Sequence, residues 1–320
     1  MTSFPSGSEV AQMLASLALN EAGVPDPIGA LILGAVFESG DSVPPYFQQV
    51  FAEIQAIVSQ AITQNQIDII NGQIQGTVNY VTTTYGALKS AGTPPAQLLA
   101  DIIPYVTNMN LNVVETLQED QYNQVGFGAF LAAAPIYLSL VQEQALNDPN
   151  VSNPWSSGYC QAVASNAQAF ATFATTNWAA VKAARSGQIV VKSTYGPTSA
   201  DAVTPEAAMA GAGSGAGESA GAGAGAGEDP RRADSFPPPP PYICYYWQDS
   251  SNGNTGNQYC GYGWPGAPNQ EDNLNQAKAD CAAQQAQVVA ALTTALGDPD
   301  TLIATWLQIA AKPLPVPKPS

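Results

Sequence analysis

The chain has 320 residues, with nine lysine and arginine residues against 25 aspartate and glutamate residues, and a net charge of −16. So acidic a protein is repelled by phosphate backbones, which argues against nucleic acid as a partner. It contains no histidine, the most common general base and metal ligand. We therefore expect no enzymatic activity, no catalytic residues, no metal site and no cofactor.

Two patterns resemble catalytic motifs but are interpreted as structural. Residues 217–221 match G-x-S-x-G, yet they lie in a Gly/Ala repeat, with no preceding strand and no histidine base. Adjacent acids such as Glu119 and Asp120 are typical of a solvated helix face. Residues 1–10 carry neither a positive charge nor an apolar core, so no standard secretory signal is expected.

Composition divides the chain into five segments. Residues 1–195 have helical periodicity, and residues 196–241 are a Gly/Ala/Pro-rich segment that predicts a disordered, flexible linker. Residues 242–268 are aromatic and contain two cysteines. Helical periodicity returns over residues 269–311, as one or more final bundle helices, before a Pro-rich tail at 312–320.

Apolar residues recur at three- and four-residue steps along most of the chain, which predicts a mainly α fold. The longest pattern covers residues 45–90, with a break near 64–66, and favours an elongated bundle. Asn153 is the predicted N-cap of a helix that starts at Pro154, and a short strand is predicted at 188–192. The other helices are predicted at residues 8–21, 27–38, 96–124, 130–147, 154–186 and 269–310, the last divided at 297–299.

The stretch 121–142 carries no charge, and its apolar centre, residues 125–141, approaches the ~20 residues that a membrane-spanning helix needs. Pro135 inside a helix would cost about 3 kcal/mol. We therefore place it in the first turn of a helix over residues 130–147, after a turn at Gly126 and Gly128. An all-round apolar helix is expected to lie at the centre of a bundle.

Three blocks connect this chain with a known family. The first is IGALILG at residues 28–34, followed by FESG at 37–40, and the second is residues 46–88, which contain FAEIQAIV at 51–58. The third is APIYLSLVQ at residues 134–142. In order and spacing they resemble the N-terminal helical domain of the three-domain insecticidal δ-endotoxins, or crystal toxins. The resemblance covers residues 10–190 and the last helix.

The resemblance implies a bundle of about seven helices around a central one, and a pore-forming toxin or defence protein. The target-cell lipid membrane is then the partner, with a homo-oligomer in the membrane and release of the protein onto a foreign membrane. The helices at 96–124 and 130–147 would insert as a hairpin. The implied membrane-inserting residues are Phe130, Leu131, Pro135, Ile136, Tyr137, Leu138, Leu140 and Val141.

Four acids of the first arm are pore-lining candidates, because a charge at the bilayer centre costs at least ~2.5–3.5 kcal/mol and must face water. They are Asp101, Glu115, Glu119 and Asp120. A lumen lined in this way would favour cations. The chain lacks the two β-rich domains of the family and the basic residues along its helices. Receptor specificity and proteolytic activation therefore do not carry over.

The alternative function is a soluble helical bundle with a storage or interaction role and no membrane activity. A large bundle needs an apolar helix in its core, and acids on its outside only solvate it. The same residues therefore fit both interpretations.

Residues 242–268 predict a small aromatic β-hairpin with Asn252 at its centre, which places Cys244 opposite Cys260. A Cys260–Cys281 bond is the alternative. Its rings would either form a platform for a glycan or an interfacial lipid headgroup, or pack on the bundle; they belong to Tyr245, Tyr246, Trp247, Tyr259, Tyr262 and Trp264, with Trp247, Tyr259 and Trp264 as the surface candidates. Arg231 and Arg232, in the linker, are the expected site of a trypsin-like cut, which in the pore-forming interpretation would free the last helix.

Overall fold

The computed structural model describes residues 51–52, 54–196, 242–262, 269–316 and 318. This part of the protein is mainly helical and contains a small three-stranded antiparallel sheet, which confirms the predicted fold class at this level. The chain divides into two compact units: unit 1 comprises residues 1–188 and 285–320, and unit 2 comprises residues 189–284. The predicted helices at 8–21 and 27–38 lie outside the described residues, as does the linker from residue 197 onward.

The described part of unit 1 starts at Phe51 in helical conformation, which ends at Gln55, and a non-helical connection follows over residues 56–63. Thr63 then caps helix α1 (Gln64–Tyr80), in a capping box with Gln66. The predicted break near residues 64–66 thus lies just before them. Helix α1 passes through a π turn (Val81–Tyr85) into helix α2 (Gly86–Ser90).

The first arm of the predicted hairpin is interrupted. Helix α3 (Pro95–Met109) contains Pro104 and leads through a second π turn (Asn110–Val114) into helix α4 (Glu115–Gln118). Residues 119–126 form turns rather than the end of the predicted helix at 96–124. Proline in a helix interior and π turns both disturb the regular hydrogen-bond ladder, and hydrophobic periodicity does not report them.

The predicted start of the central helix is wrong. Helix α5 (Phe127–Leu146) starts directly after Gly126, so Gly128 is helical and Pro135 lies in the helix interior rather than in its first turn. Gly126 lies so close to α4 that a Cβ atom on it would be 2.7 Å from Leu117 Cδ2. The cost of an interior proline, about 3 kcal/mol, is offset by the burial of apolar side chains along the whole helix.

The last helix of unit 1 packs on the helix that follows α5. Asn153 caps a 3₁₀ turn (Pro154–Ser156), and Ser157, not Asn153, caps helix α6 (Gly158–Gly187). Helices α7 (Gln270–Ala295) and α8 (Pro299–Ala311) are separated at Gly297 and Asp298, as predicted. Both of these residues have positive φ, 74° and 57°.

The core of unit 1 is a continuous cluster of aliphatic and aromatic side chains. Helix α5 packs against α3, α4 and α6, and α8 packs along α6. Phe130 of α5 lies with its ring centroid 5.4 Å from Phe170 of α6 and 5.8 Å from Trp306 of α8. Aromatic contacts therefore join three helices at one level of the core.

The C-terminal segment also packs on unit 1. Leu314 is 1% exposed and lies against Ala145 of α5 and Cys160 of α6. Gln142 donates a hydrogen bond of 2.8 Å from Nε2 to the carbonyl oxygen of Pro313. The Pro-rich residues 312–316 therefore cover the C-terminal end of α5.

Unit 2 contains strands β1 (Ile189–Gly196), β2 (Tyr242–Asp249) and β3 (Tyr259–Tyr262), in the order β1-β2-β3 with antiparallel pairing. The sequence predicted a two-stranded hairpin and a separate strand at 188–192. In the structure β1 pairs with β2 along its full length, so β2 is the central strand of one sheet. A disulfide joins the opposed residues Cys244 and Cys260.

Candidate functional site

Helix α5 is the most deeply buried helix of the described residues. Within it only Ala132, Gln142 and Leu146 are partly exposed, and every other residue is buried. All the residues implied to insert into the membrane are therefore buried: Phe130, Leu131, Pro135, Ile136, Tyr137, Leu138, Leu140 and Val141. Over residues 127–141 the helix packs in the apolar core, which explains why this part of it lacks a polar face.

A buried carboxylate interrupts this apolar helix near its end. Glu143 is 6% exposed and is the only charged residue of α5. Lys89 of α2 donates to both of its oxygens, at 3.0 Å to Oε1 and 2.8 Å to Oε2. The hydroxyl of Tyr85 donates to Oε2 at 3.1 Å, and Asn147 Nδ2 lies 3.3 Å from the same atom. We call Tyr85, Lys89, Glu143 and Asn147 the Glu143 cluster.

The Glu143 cluster is a satisfied charge network rather than an acid–base site. Burial, and then the nearby Glu143 carboxylate, raise the pKa of the Tyr85 hydroxyl far above its usual value of about 10. Tyr85 is therefore a neutral donor at physiological pH, and it accepts a hydrogen bond from Asn147 at 3.1 Å. The cluster joins the end of α2 to the end of α5.

Sequence reasoning missed this cluster, although a signal was present. Lys89 is the only basic residue before Lys182, and Glu143 is the only charge in the apolar helix. A lone charge inside an apolar helix needs a partner of opposite sign, and only one cation was available in this half of the chain. Tyr85 and Asn147 had no comparable signal in the sequence.

The acids of the first arm lie away from the core. Glu115, Glu119 and Asp120 are exposed, and Asp101 is partly exposed. Glu115 accepts a hydrogen bond from Asn110, and Glu119 accepts one from Gln121, both on the surface. Five apolar residues of the same arm are buried in the core, whereas Ile103 and Leu111 are exposed; the buried ones are Ile102, Val106, Val113, Val114 and Leu117.

Among the described residues, no helix is long and apolar enough to cross a membrane. The same part of the chain contains no group of three or more acidic or cysteine side chains placed to hold a metal ion. The structure brings together the buried residues of α5 and the Glu143 cluster, but it does not bring the first-arm acids into that cluster.

In unit 2, the candidate aromatic residues contact their own unit. The Tyr259 hydroxyl donates to the carboxylate of Asp280 on α7. Trp247 is partly buried beneath the loop after β2, and a Cβ atom at Gly256 would overlap its ring. Trp247 therefore packs on its own hairpin loop and Tyr259 is hydrogen-bonded to α7. Trp264 lies outside the described residues, as do the proteolysis candidates Arg231 and Arg232.

The opposite face of the sheet carries different rings. Tyr242 and Tyr262 are cross-strand partners with centroids 5.1 Å apart, and Tyr246 is partner to Lys192. Tyr262 is 41% exposed. Tyr246 and Tyr262 were candidates from the sequence and Tyr242 was not, because only the register of the strands decides which aromatic residues share a face.

The two cysteines outside the disulfide are free and buried. Burial raises the pKa of both the Cys160 and the Cys281 thiols, which keeps them protonated at neutral pH. Cys281 lies 3.5 Å from the carbonyl oxygen of Ile189 and is not bonded to Cys260.

Comparison of the chain with protein-family models, with curated proteins and with solved structures finds no match.

Proposed function

We propose that unit 1 is a bundle organised around α5 and that it permeabilises lipid membranes by releasing α3–α4 and α5 as a helical hairpin. The observation that carries the proposal is the burial of α5 on all sides, combined with a single charge held by the Glu143 cluster. A helix without a polar face is stable in only two environments, a protein core and a lipid phase. If α5 separated from its neighbours, it would move from the protein core into the lipid phase.

The first arm supports this proposal because it has an apolar face and an acidic face. Most of its apolar residues are buried in the core, with Ile103 and Leu111 exposed, and its acids face solvent. In a membrane the same pattern would direct the acids to a water-filled lumen, because charges in the hydrocarbon region are too costly. Such a lumen would conduct cations in preference to anions.

The apolar part of α5 is shorter than the hydrocarbon core of a bilayer. The uncharged apolar part, residues 127–141, extends about 22 Å at 1.5 Å per residue. The hydrocarbon core of a typical bilayer is about 30 Å thick. We therefore propose a homo-oligomer of hairpins in a locally thinned bilayer, since short hydrophobic segments are accommodated by thinning and by association.

A second candidate is a soluble bundle with a storage or interaction role. It is favoured by the finding that no described helix is long and apolar enough to cross a membrane. In this case α5 is only the core of unit 1, and its neighbours never separate.

Calcein release from phosphatidylcholine vesicles distinguishes the two candidates. We expect release by the intact chain or after limited trypsin treatment, and cation-selective steps in planar bilayers. Lys89→Met should accelerate release, because it weakens the Glu143 cluster. Lys182→Met is the control, because Lys182 forms a longer ion pair of 3.7 Å with Asp300, whose side chain is 64% exposed. Intact vesicles across a broad range of pH and protease treatment would favour the soluble bundle.

A further inference from the structure

A groove of about 340 Å³ opens on the surface of unit 1, between α3 with its following π turn, α5 and the start of α6. Ile103 and Leu111 form an apolar rim and are 41% and 51% exposed. Tyr137 and Gln144 of α5 lie deeper, two helical turns apart on the same face of that helix. The groove is therefore a place where α5 can be reached from solvent.

Gln144 is the unusual residue of this groove. It is 5% exposed, and its side-chain amide forms no hydrogen bond within the described part of the protein. The other polar side chains of the same stretch are all paired: Ser139 with Pro135, Gln142 with Pro313, and Glu143 and Asn147 within the Glu143 cluster. Among the described residues, the fully buried side-chain atoms that lack a partner belong to Asn71 and Trp306, so the amide of Gln144 is open to water in the groove. The amide of Gln144 can meet a partner through the groove that it lines.

The charges near the groove disfavour an anionic ligand. None of the lining side chains is charged. Asn110, on the lining, donates from Nδ2 to Glu115 Oε1 at 2.6 Å, so a carboxylate lies beside the groove. With a net charge of −16 on the chain, an anionic ligand would be repelled. A neutral molecule meets no such penalty.

We propose that this groove binds a small uncharged amphiphile, with its polar group paired to Gln144 and its apolar body against Ile103, Leu111 and Tyr137. A primary amide is the best match, because the Gln144 amide both donates and accepts. The volume corresponds to roughly eleven water-sized groups at ~30 Å³ each, so an eight-carbon chain fits. This inference does not depend on membrane activity.

The test uses three probes with the same chain length: octanamide, 1-octanol and octanoate. Binding to the full ¹⁵N-labelled chain is followed by NMR through the shifts of the Gln144 side-chain amide and the backbone amides of α3. We expect saturable shifts, with octanamide binding most tightly and octanoate most weakly. Gln144→Leu should weaken octanamide binding five- to tenfold, the loss expected for one net hydrogen bond in a desolvated site. It should leave the much weaker octanoate binding nearly unchanged.

Two further variants keep the test independent of folding. Gln168→Leu changes an exposed glutamine on α6 outside the groove and should bind octanamide like the wild type. Leu111→Ser removes an exposed apolar contact from the rim and should weaken the binding of all three probes. The proposal is overturned if octanamide gives no saturable shift, or if both Gln144→Leu and Leu111→Ser bind it as tightly as the wild type.

Discussion

The stability of unit 1 depends on how the Glu143 carboxylate is compensated. Lys89→Met removes the only cation of the Glu143 cluster and leaves a buried charge with neutral donors. We expect a loss of about 3 kcal/mol, at the lower end of the range for a broken buried pair. The lower end applies because the Lys89 side chain is 28% exposed. Urea unfolding followed by tryptophan fluorescence measures this loss.

The double variant Lys89→Met with Glu143→Met provides the control for this prediction. Replacing both members of a buried pair by apolar residues of similar volume is often neutral. The double variant should therefore recover most of the lost stability. An unchanged unfolding midpoint in Lys89→Met alone would contradict the role assigned to the pair.

Tyr85 gives unit 1 a pH dependence on the alkaline side. In the unfolded chain a tyrosine hydroxyl has a pKa of about 10, and in the folded protein burial and Glu143 raise the pKa of Tyr85 well above that. Stability from the neutral hydroxyl is therefore fully present below about pH 10 and is lost as the pH rises further. We expect Tyr85→Phe to show a shallower fall in unfolding free energy between about pH 10 and 12. Equal slopes in the two proteins would refute this account.

At the scale of single elements, the fate of Trp247 distinguishes a packed ring from a binding surface. The ring lies beneath the loop that follows β2, against Gly256. Trp247→Ala should lower the stability of unit 2 by roughly 2 kcal/mol, less than the ~3–5 kcal/mol typical of a fully buried tryptophan. Thermal unfolding by near-ultraviolet circular dichroism measures this change. An unchanged melting temperature with lost retention on chitin or cellulose beads would instead support a glycan platform.

Elements with strong local signals were predictable from the sequence. The separation of α7 from α8 was predictable because Gly297, Asp298 and Pro299 combine positive φ, an N-cap and a first-turn proline. The burial of α5 followed from the absence of charge over residues 121–142. The start of α5 was not predictable from Pro135, because the local cost of an interior proline is outweighed by packing that only the folded chain supplies.

Contacts between distant parts of the chain were harder to predict from the sequence than local elements. The pairing of β1 with β2 joins residues separated by a long intervening segment, and no local pattern specifies that register. The Glu143 cluster required the end of α2 to meet the end of α5. The groove at Gln144 also depends on three separate helical segments. Periodicity identifies the buried face of each element but not its partner.

At the scale of the whole molecule, the C-terminal segment protects a thiol. Leu314 covers Cys160, and burial raises the pKa of that thiol. In the native chain, neither Cys160 nor Cys281 should react with Ellman's reagent at neutral pH. Removal of residues 313–320 should make one thiol, Cys160, reactive, while Cys281 stays protected as the internal control. Two reactive thiols after truncation would indicate general unfolding, and none would show that Leu314 is not the cover.

The pairing of Gly196 with Tyr242 has a consequence for how the chain can be rearranged. These two residues bound the segment 197–241 and are neighbours in one sheet. Doubling the length of a flexible loop between two such points costs only about 0.6 kcal/mol. We expect a cut after Arg231 or Arg232 to leave α8 in place, since β1 still pairs with β2 and α8 still packs along α6. The two polypeptides should then co-migrate in a native gel and separate only in detergent. A foreign domain with closely spaced termini should be accepted at the same position.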